Sequence, residues 1–220
     1  MKRRTWMGFV GLAVMLAPGL GYANPQQAEF FNAIRSDDVD KVNAMLSAGA
    51  DPNMLDEAGQ CALVVALQSE ALRVADMLIA NARTDLNYLN AAQESALMFA
   101  ALKGLMPQAQ ALIARGAYVN KTGWAPLHYS VTQPKLEMVV LMIENYAYID
   151  AESPNGTTPL MMAARYGTDE QVRYLLDEGA DPMMRNQLNM TAYDFALQAE
   201  QKTKAQMILQ AMRDLQPSGW

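Results

Sequence analysis

His128 and Cys61 are the only histidine and the only cysteine in the 220-residue chain. Acid–base or nucleophilic work near neutral pH draws first on these two types. Together they are too few to assemble a common zinc site. A lone Cys has no internal disulfide partner, so an exported chain of this kind must rely on its core. Acids pair at Asp37-Asp38 and Asp177-Glu178. Both pairs fall at predicted helix ends, where carboxylates serve as caps or dipole partners rather than as acid–base groups. No phosphate-cradling Gly loop, nucleophile elbow or metal-binding helix motif occurs. Methionine is the other group with chemistry to offer: 17 residues, including Met1, Met7 and Met15, with doublets at Met161-Met162 and Met183-Met184. Such a set is able to bind Cu(I) or absorb oxidants. Met138, Met142, Met161 and Met207 fall on predicted core positions instead, where Met is an adaptable filler. These residue types predict no catalysis, no cofactor and no metal.

The elements that place these residues are repeats. Gly156-Thr157-Thr158-Pro159-Leu160-Met161 is echoed by Gly123-Trp124-Ala125-Pro126-Leu127-His128. Val172-Arg173-Tyr174-Leu175-Leu176-Asp177-Glu178-Gly179-Ala180-Asp181-Pro182 is echoed by Val42 to Asn53. Aligned on the Leu of the first motif, the units place Leu63, Leu97, Leu127, Leu160 and a degenerate Tyr193 at spacings of 34, 30, 33 and 33. A period of this size predicts a solenoid whose units bury their apolar faces on one another. The residues resemble the ankyrin repeat, whose signature contains T-P-L-H-x-A and then V-x-x-L-L-x-x-G-A-D-x-N. The resemblance implies an all-α solenoid of about six stacked helix pairs joined by short finger loops. It also assigns His128 to a structural slot, bonding neighbouring backbone, and Cys61 to the small-residue slot that opens a helix.

Residues 1–23 read as a signal peptide. Lys2, Arg3 and Arg4 precede a short apolar run from Trp6 to Leu16, and small residues at Gly21 and Ala23 place cleavage after Ala23. The run is shorter than the ~20 residues of a membrane span, so no stable membrane insertion is expected after cleavage. The expected location is the periplasm or beyond. Residues 24–220 then form one repeat domain: an N-terminal capping unit at 24–55, internal repeats at 56–185, a C-terminal capping unit at 186–213 and a loose tail at 214–220. Glu29, Asn32, Arg35, Asp38 and Lys41 are expected to face water at one end. Gln198, Gln201, Lys202, Lys204 and Gln210 are expected to do so at the other. Without the leader, 14 basic residues stand against 23 acidic ones, a net of −9. That charge disfavours nucleic acid and favours a basic partner.

The middle units depart from the pattern. The second unit lacks the usual Gly stop near Arg83-Thr84. The finger from Asn120 to Gly123 is shorter than its counterpart from Asn87 to Gln93, and Pro134 replaces a turn Gly. The resemblance places partner contacts at the finger tips and on the inner face of the first helices. There the chain carries Leu55, Leu89, Leu102, Lys103, Trp124, Arg165, Tyr166, Arg185, Leu188 and Met190. An apolar and aromatic strip where a lone solenoid needs polar residues predicts a protein partner. Trp124 has two readings: an exposed contact beside Tyr166, or a filler for the shortened finger. The expected protein is a monomeric, non-catalytic binding module that inhibits, protects or scaffolds an envelope enzyme. A Met-based copper or oxidant buffer and an exported effector acting on a host protein stay open as alternatives.

Overall fold

The computed structural model describes residues 25–215. The segment expected to be a signal peptide, 1–23, and residues 216–220 of the expected tail lie outside the described residues. Among the described residues twelve helices follow in strict pairs: α1 (Pro25–Arg35) with α2 (Val39–Ser47), α3 (Ala62–Gln68) with α4 (Leu72–Ala80), α5 (Ala96–Leu102) with α6 (Met106–Ala114), α7 (Pro126–Ser130) with α8 (Leu136–Glu144), α9 (Pro159–Tyr166) with α10 (Asp169–Asp177), and α11 (Ala192–Gln198) with α12 (Lys202–Asp214). The odd-numbered helices stack in one layer from α1 to α11. The even-numbered helices pack behind them in two runs, α2–α4–α6 and α8–α10–α12. Packing between α6 and α8 is thinner than within those runs, beside the short α7 and the shortened finger. Asp214 still belongs to α12, so the helix outlasts the expected start of the tail by one residue.

Local chemistry sets the helix starts. Ser95, Thr158 and Thr191 accept the N3 backbone N–H of α5, α9 and α11, while Pro126 and Pro159 open α7 and α9. Leu63, Leu97, Leu127 and Leu160 are buried in one continuous core running from Phe30 and Ile34 to Ile208. Met138, Met142 and Met161 lie inside it, and Met98 is fully buried. No methionine from Met45 to Met212 is fully exposed. Met98 and Met161 also have a polar role, since their Sδ atoms accept the backbone N–H of Ser95 and Thr158 at 3.3 and 3.4 Å.

Bonds between units replace missing local signals. Helix α4 ends without a left-handed Gly, and Arg115 from the next unit caps it, donating to Ile79 O at 2.6 Å. Asp37 accepts Val74 N at 2.8 Å and so joins the first unit to the second. Val74 lies in the first turn of α4, so Asp37 caps that helix from outside its unit, and Asp38 is the N-cap of α2, accepting Lys41 N at 3.0 Å, as expected of the pair. Asp177 and Glu178 close α10, the end where negative charge is unfavourable, so the dipole role expected of them fails.

Lys204 overturns its expected exposure. It is 2% exposed, and its ammonium donates to Ala163 O at 3.3 Å and Gly167 O at 2.8 Å in the preceding unit. Gln198, Gln201, Lys202 and Gln210 do face solvent, as do Glu29, Asn32, Arg35, Asp38 and Lys41 at the other end.

A ladder of amides holds successive finger bases in register. Asn53 donates to Arg83 O and accepts from Asp85 N; Asn87 does the same with Gly116 O and Tyr118 N, and Asn120 with Tyr146 O and Tyr148 N. The fourth rung is Asp150, which accepts from Asp181 N at 3.1 Å but, when ionised, has nothing to donate. Burial pushes the Asp150 carboxyl pKa up, the Asp181 N–H holds it back, and the Asp181 carboxylate adds to the push. A raised acid favours folding below its unfolded value and loses that contribution as pH rises through the folded value. Asp150→Asn is therefore expected to stabilise the fold at neutral pH by about 0.5–1.5 kcal/mol, the worth of one restored hydrogen bond. In thermal melts its advantage should vanish as pH falls below the ordinary carboxylate range.

Candidate functional site

The shortened finger governs the site. The other finger turns open on Asp56, Asn90, Ser153 and Asn186, whose side chains accept backbone N–H groups of the same turn. The short finger has Lys121 there. Its ammonium donates to Thr122 O at 2.8 Å and Trp124 O at 3.1 Å, and partial burial pushes its pKa down. The finger is thereby closed through its carbonyls, and the chain turns at Gly123 with φ +79°. Trp124 is delivered edge-on to His128, ring centroids 5.2 Å apart and planes at 78°.

His128 forms the floor. It is fully buried; Nδ1 accepts from Ala125 N at 3.1 Å, and Nε2 lies 3.0 Å from Thr157 O in the next unit. An Nδ1 that accepts must be bare, so the proton sits on Nε2 and is donated to Thr157 O. Burial pushes the imidazole pKa down, against the pull of these backbone bonds. A neutral, doubly bonded ring is a strut between units, as its slot implied. Cys61 is also buried, at the N-cap of α3 and without a capping bond, and burial pushes its thiol up, away from the reactive thiolate.

Above this floor lies an apolar groove of about 210 Å³ walled by Leu102, Trp124, Tyr129, Thr132 and Met162. It opens on the face made by the first helices and fingers. Tyr129 donates to Glu94 at 3.1 Å, and burial together with that carboxylate pushes its phenol well above the usual range. Its hydroxyl is thus committed and its ring left as wall. A larger hollow of about 350 Å³ lies between α1 and the first finger, but the Arg35–Asp56 ion pair, 3.0 Å, lines it.

The groove unites only two of the sequence-predicted contacts, Leu102 and Trp124. Trp124 is half-buried, so it both fills the space of the short finger and walls the groove. Tyr166 stands outside that lining, 57% exposed, with the Arg165 guanidinium 5.4 Å from its ring centre. Lys103 pairs with Glu70 at 2.9 Å. Leu89 and Met190 are half-buried, Leu55 is partly exposed, and Leu188 is 75% exposed at its finger tip. Arg185 donates to Asn189 O across the base of the same turn. The reading of the sequence missed Tyr129 and Met162. Both stand two residues after the slot Leu, and position 129 lies one helical turn before Thr132, so the spacing of three that puts residues on one helix face would have found it.

Among the described residues, no cluster of three or more His, Cys, Asp or Glu side chains is placed to hold a metal ion. No described helix is long and apolar enough to cross a membrane.

Comparison with known proteins places this arrangement. The B-cell lymphoma 3 protein homolog of Mus musculus is 30% identical over 175 residues, 76% of this chain and 39% of its own length. The chain spans between 14% and 39% of the first curated relatives it matches. A chain from the structure of a predatory endopeptidase of Bdellovibrio bacteriovorus in complex with an immunity protein is 25% identical, with a TM-score of 0.71 over 83% of this chain and 97% of that one. An ankyrin repeat domain from Acinetobacter baumannii, 24% identical with a TM-score of 0.72 over 83% of this chain and 96% of its own, shares the fold. The family model for ankyrin repeats matches in overlapping windows from residue 30 to 217, so the chain belongs to the ankyrin-repeat family, whose repeats are protein–protein interaction modules.

Proposed function

We propose that this protein is an exported, non-catalytic binding module that engages an envelope enzyme through the groove of Leu102, Trp124 and Met162. The observation that carries the reading is that groove: an apolar slot, rimmed by an aromatic ring, on the face where a free-standing solenoid needs polar residues. The likeness to a chain from an endopeptidase–immunity protein complex supports an inhibitory or protective role over mere scaffolding. A chain whose single His and Cys are both buried struts or fillers fits the immunity side of such a pair better than the endopeptidase side. The export half of the proposal rests on residues 1–23 alone.

Two measurements test the two halves. Mass spectrometry of the protein in periplasmic extract is expected to find Asn24 as the N-terminus; an intact Met1 end in the cytoplasm would remove the envelope from the proposal. Affinity capture from the same extract, compared between wild type and Trp124→Ala, tests the groove. Truncating a hot-spot Trp is expected to weaken capture by about 2 kcal/mol or more, near thirtyfold. Trp124→Ala also loses half-buried packing worth ~1–3 kcal/mol, so Leu102→Asp is the second variant, placing a charge in the groove at modest structural cost. Tyr166→Ala should melt within about 0.5 kcal/mol of wild type, as an exposed side chain does. Unchanged capture by folded Trp124→Ala and Leu102→Asp would discard the groove.

A further inference from the structure

The outer edge of the stack, at the base of the fingers, gives up a local device at three positions in favour of a tyrosine. The amide ladder aligns Asp51, Asp85, Tyr118, Tyr148 and Asp181 as one exposed column along successive units. An Asp in this column serves its own turn, for Asp51, Asp85 and Asp181 each accept the backbone N–H two residues on, at 2.7–2.9 Å. Tyr118 and Tyr148 give up that bond, since a phenol has no acceptor within reach of the turn. Beside the column, the residue closing the second helix is Gly49, Gly116 and Gly179, all with positive φ. The fourth unit has Tyr146 there, at φ +65°, a conformation costly to any residue with a bulky side chain. Tyr118, Tyr148 and Tyr146 are 69%, 70% and 86% exposed, and none has a side-chain partner among the described residues. Departures that cost local stability and bring no internal contact mark a surface kept for something outside the chain.

We propose that this tyrosine edge docks a basic, extended segment of a partner protein, at a surface separate from the groove. The charge around it selects the partner. Asp85 and Asp181 bracket the two tyrosines in the column, Glu144 lies exposed two residues before Tyr146, and the described residues carry a net charge of −9. The nearby Arg115 is committed to Ile79 O. Exposed phenol faces flanked by carboxylates suit Arg and Lys, which stack on the ring and pair with the acids. Packed units lie ~10 Å apart and an extended chain advances about 3.3 Å per residue, so every third residue of the segment meets the next position in the column. The same charge disfavours a second copy of this acidic chain.

The test uses a labelled peptide with Arg at every third position and Gly or Ser between, read by fluorescence polarisation against the full chain. Wild type is expected to bind it with an affinity that falls as salt rises, and to ignore the same peptide with Glu in place of Arg. The triple variant Tyr118→Asn, Tyr146→Gly, Tyr148→Asn gives position 146 the Gly its slot uses elsewhere and positions 118 and 148 an uncharged side chain that accepts the turn N–H as the column's Asp residues do. It should therefore melt at or above wild type while losing about ten- to hundredfold in peptide affinity, two- to fivefold per exposed cation–π contact. Trp124→Ala should keep the peptide, which separates this surface from the groove. Equal binding by wild type and the triple variant, or equal binding of the Glu peptide, would overturn the proposal. So would a wild-type dimer in sedimentation that the triple variant lacks.

Discussion

His128→Ala is expected to cost about 3–5 kcal/mol in thermal or urea unfolding. The substitution empties a fully buried ring site, removes the surface on which Trp124 rests, and breaks two hydrogen bonds, one of them between units. His128→Met is the informative partner variant. Met98 and Met161 already occupy the same slot in the flanking units and accept the cap N–H through sulfur. Met at 128 is expected to keep the Ala125 bond and lose the bridge to Thr157 O, which retains the Ser153 N–H. Its cost should be only about 1–2 kcal/mol. The two variants also differ from wild type in pH response. Folding lowers the imidazole pKa, so its contribution is whole above the unfolded value near 6.5 and declines as pH falls through the folded value. Wild type should lose melting temperature on acidification below pH 6.5, and His128→Met should lack that component. A wild-type slope that survives in His128→Met would mean that another group titrates there.

Lys204→Ala is expected to cost ~2–3 kcal/mol, more than any solvated Lys at the end of a stack should. A charged donor bound to two carbonyls is being removed, along with a buried four-carbon stem. Lys204→Met separates the two losses, since it keeps apolar length and discards the ammonium. It should cost about 1–2 kcal/mol, because Ala163 O still accepts Gly167 N but Gly167 O is left without its donor. Lys202→Ala, two residues earlier and exposed, is the control and should move stability by less than about 0.5 kcal/mol. A Lys204→Met variant as stable as wild type would show that burying the charge costs as much as its bonds return, the usual balance for buried ions.

Residue spacing alone was enough to define the unit, its number and its helices. Leu63, Leu97, Leu127 and Leu160 recur at nearly constant spacing, each stands in the first turn of a helix, Leu97 behind the capping Ser95 and Leu127 and Leu160 behind a proline, and each is buried. These signals are local, and every unit buries its apolar face in the same way, so a pattern legible in one unit is legible in all. The strut role of His128 and the filler role of the core methionines followed from slot alone for the same reason. Whatever depends on the residue 30 to 40 positions away that faces a given side chain became legible only once the units were stacked. Lys204 reads as a solvated cap residue until Ala163 and Gly167 of the previous unit are seen beneath its ammonium. Arg115 finishes α4 of the preceding unit, a contact that no local signal around it announces. Trp124 lies between its two readings because the short finger leaves room for part of an indole, and the rest becomes the wall that Tyr129 and Met162 complete. The exposed column through Tyr118 and Tyr148 exists only once the amide ladder has put successive units in register. Periodicity dictates what each unit is; the stacking of unlike side chains across unit boundaries dictates which surface it presents.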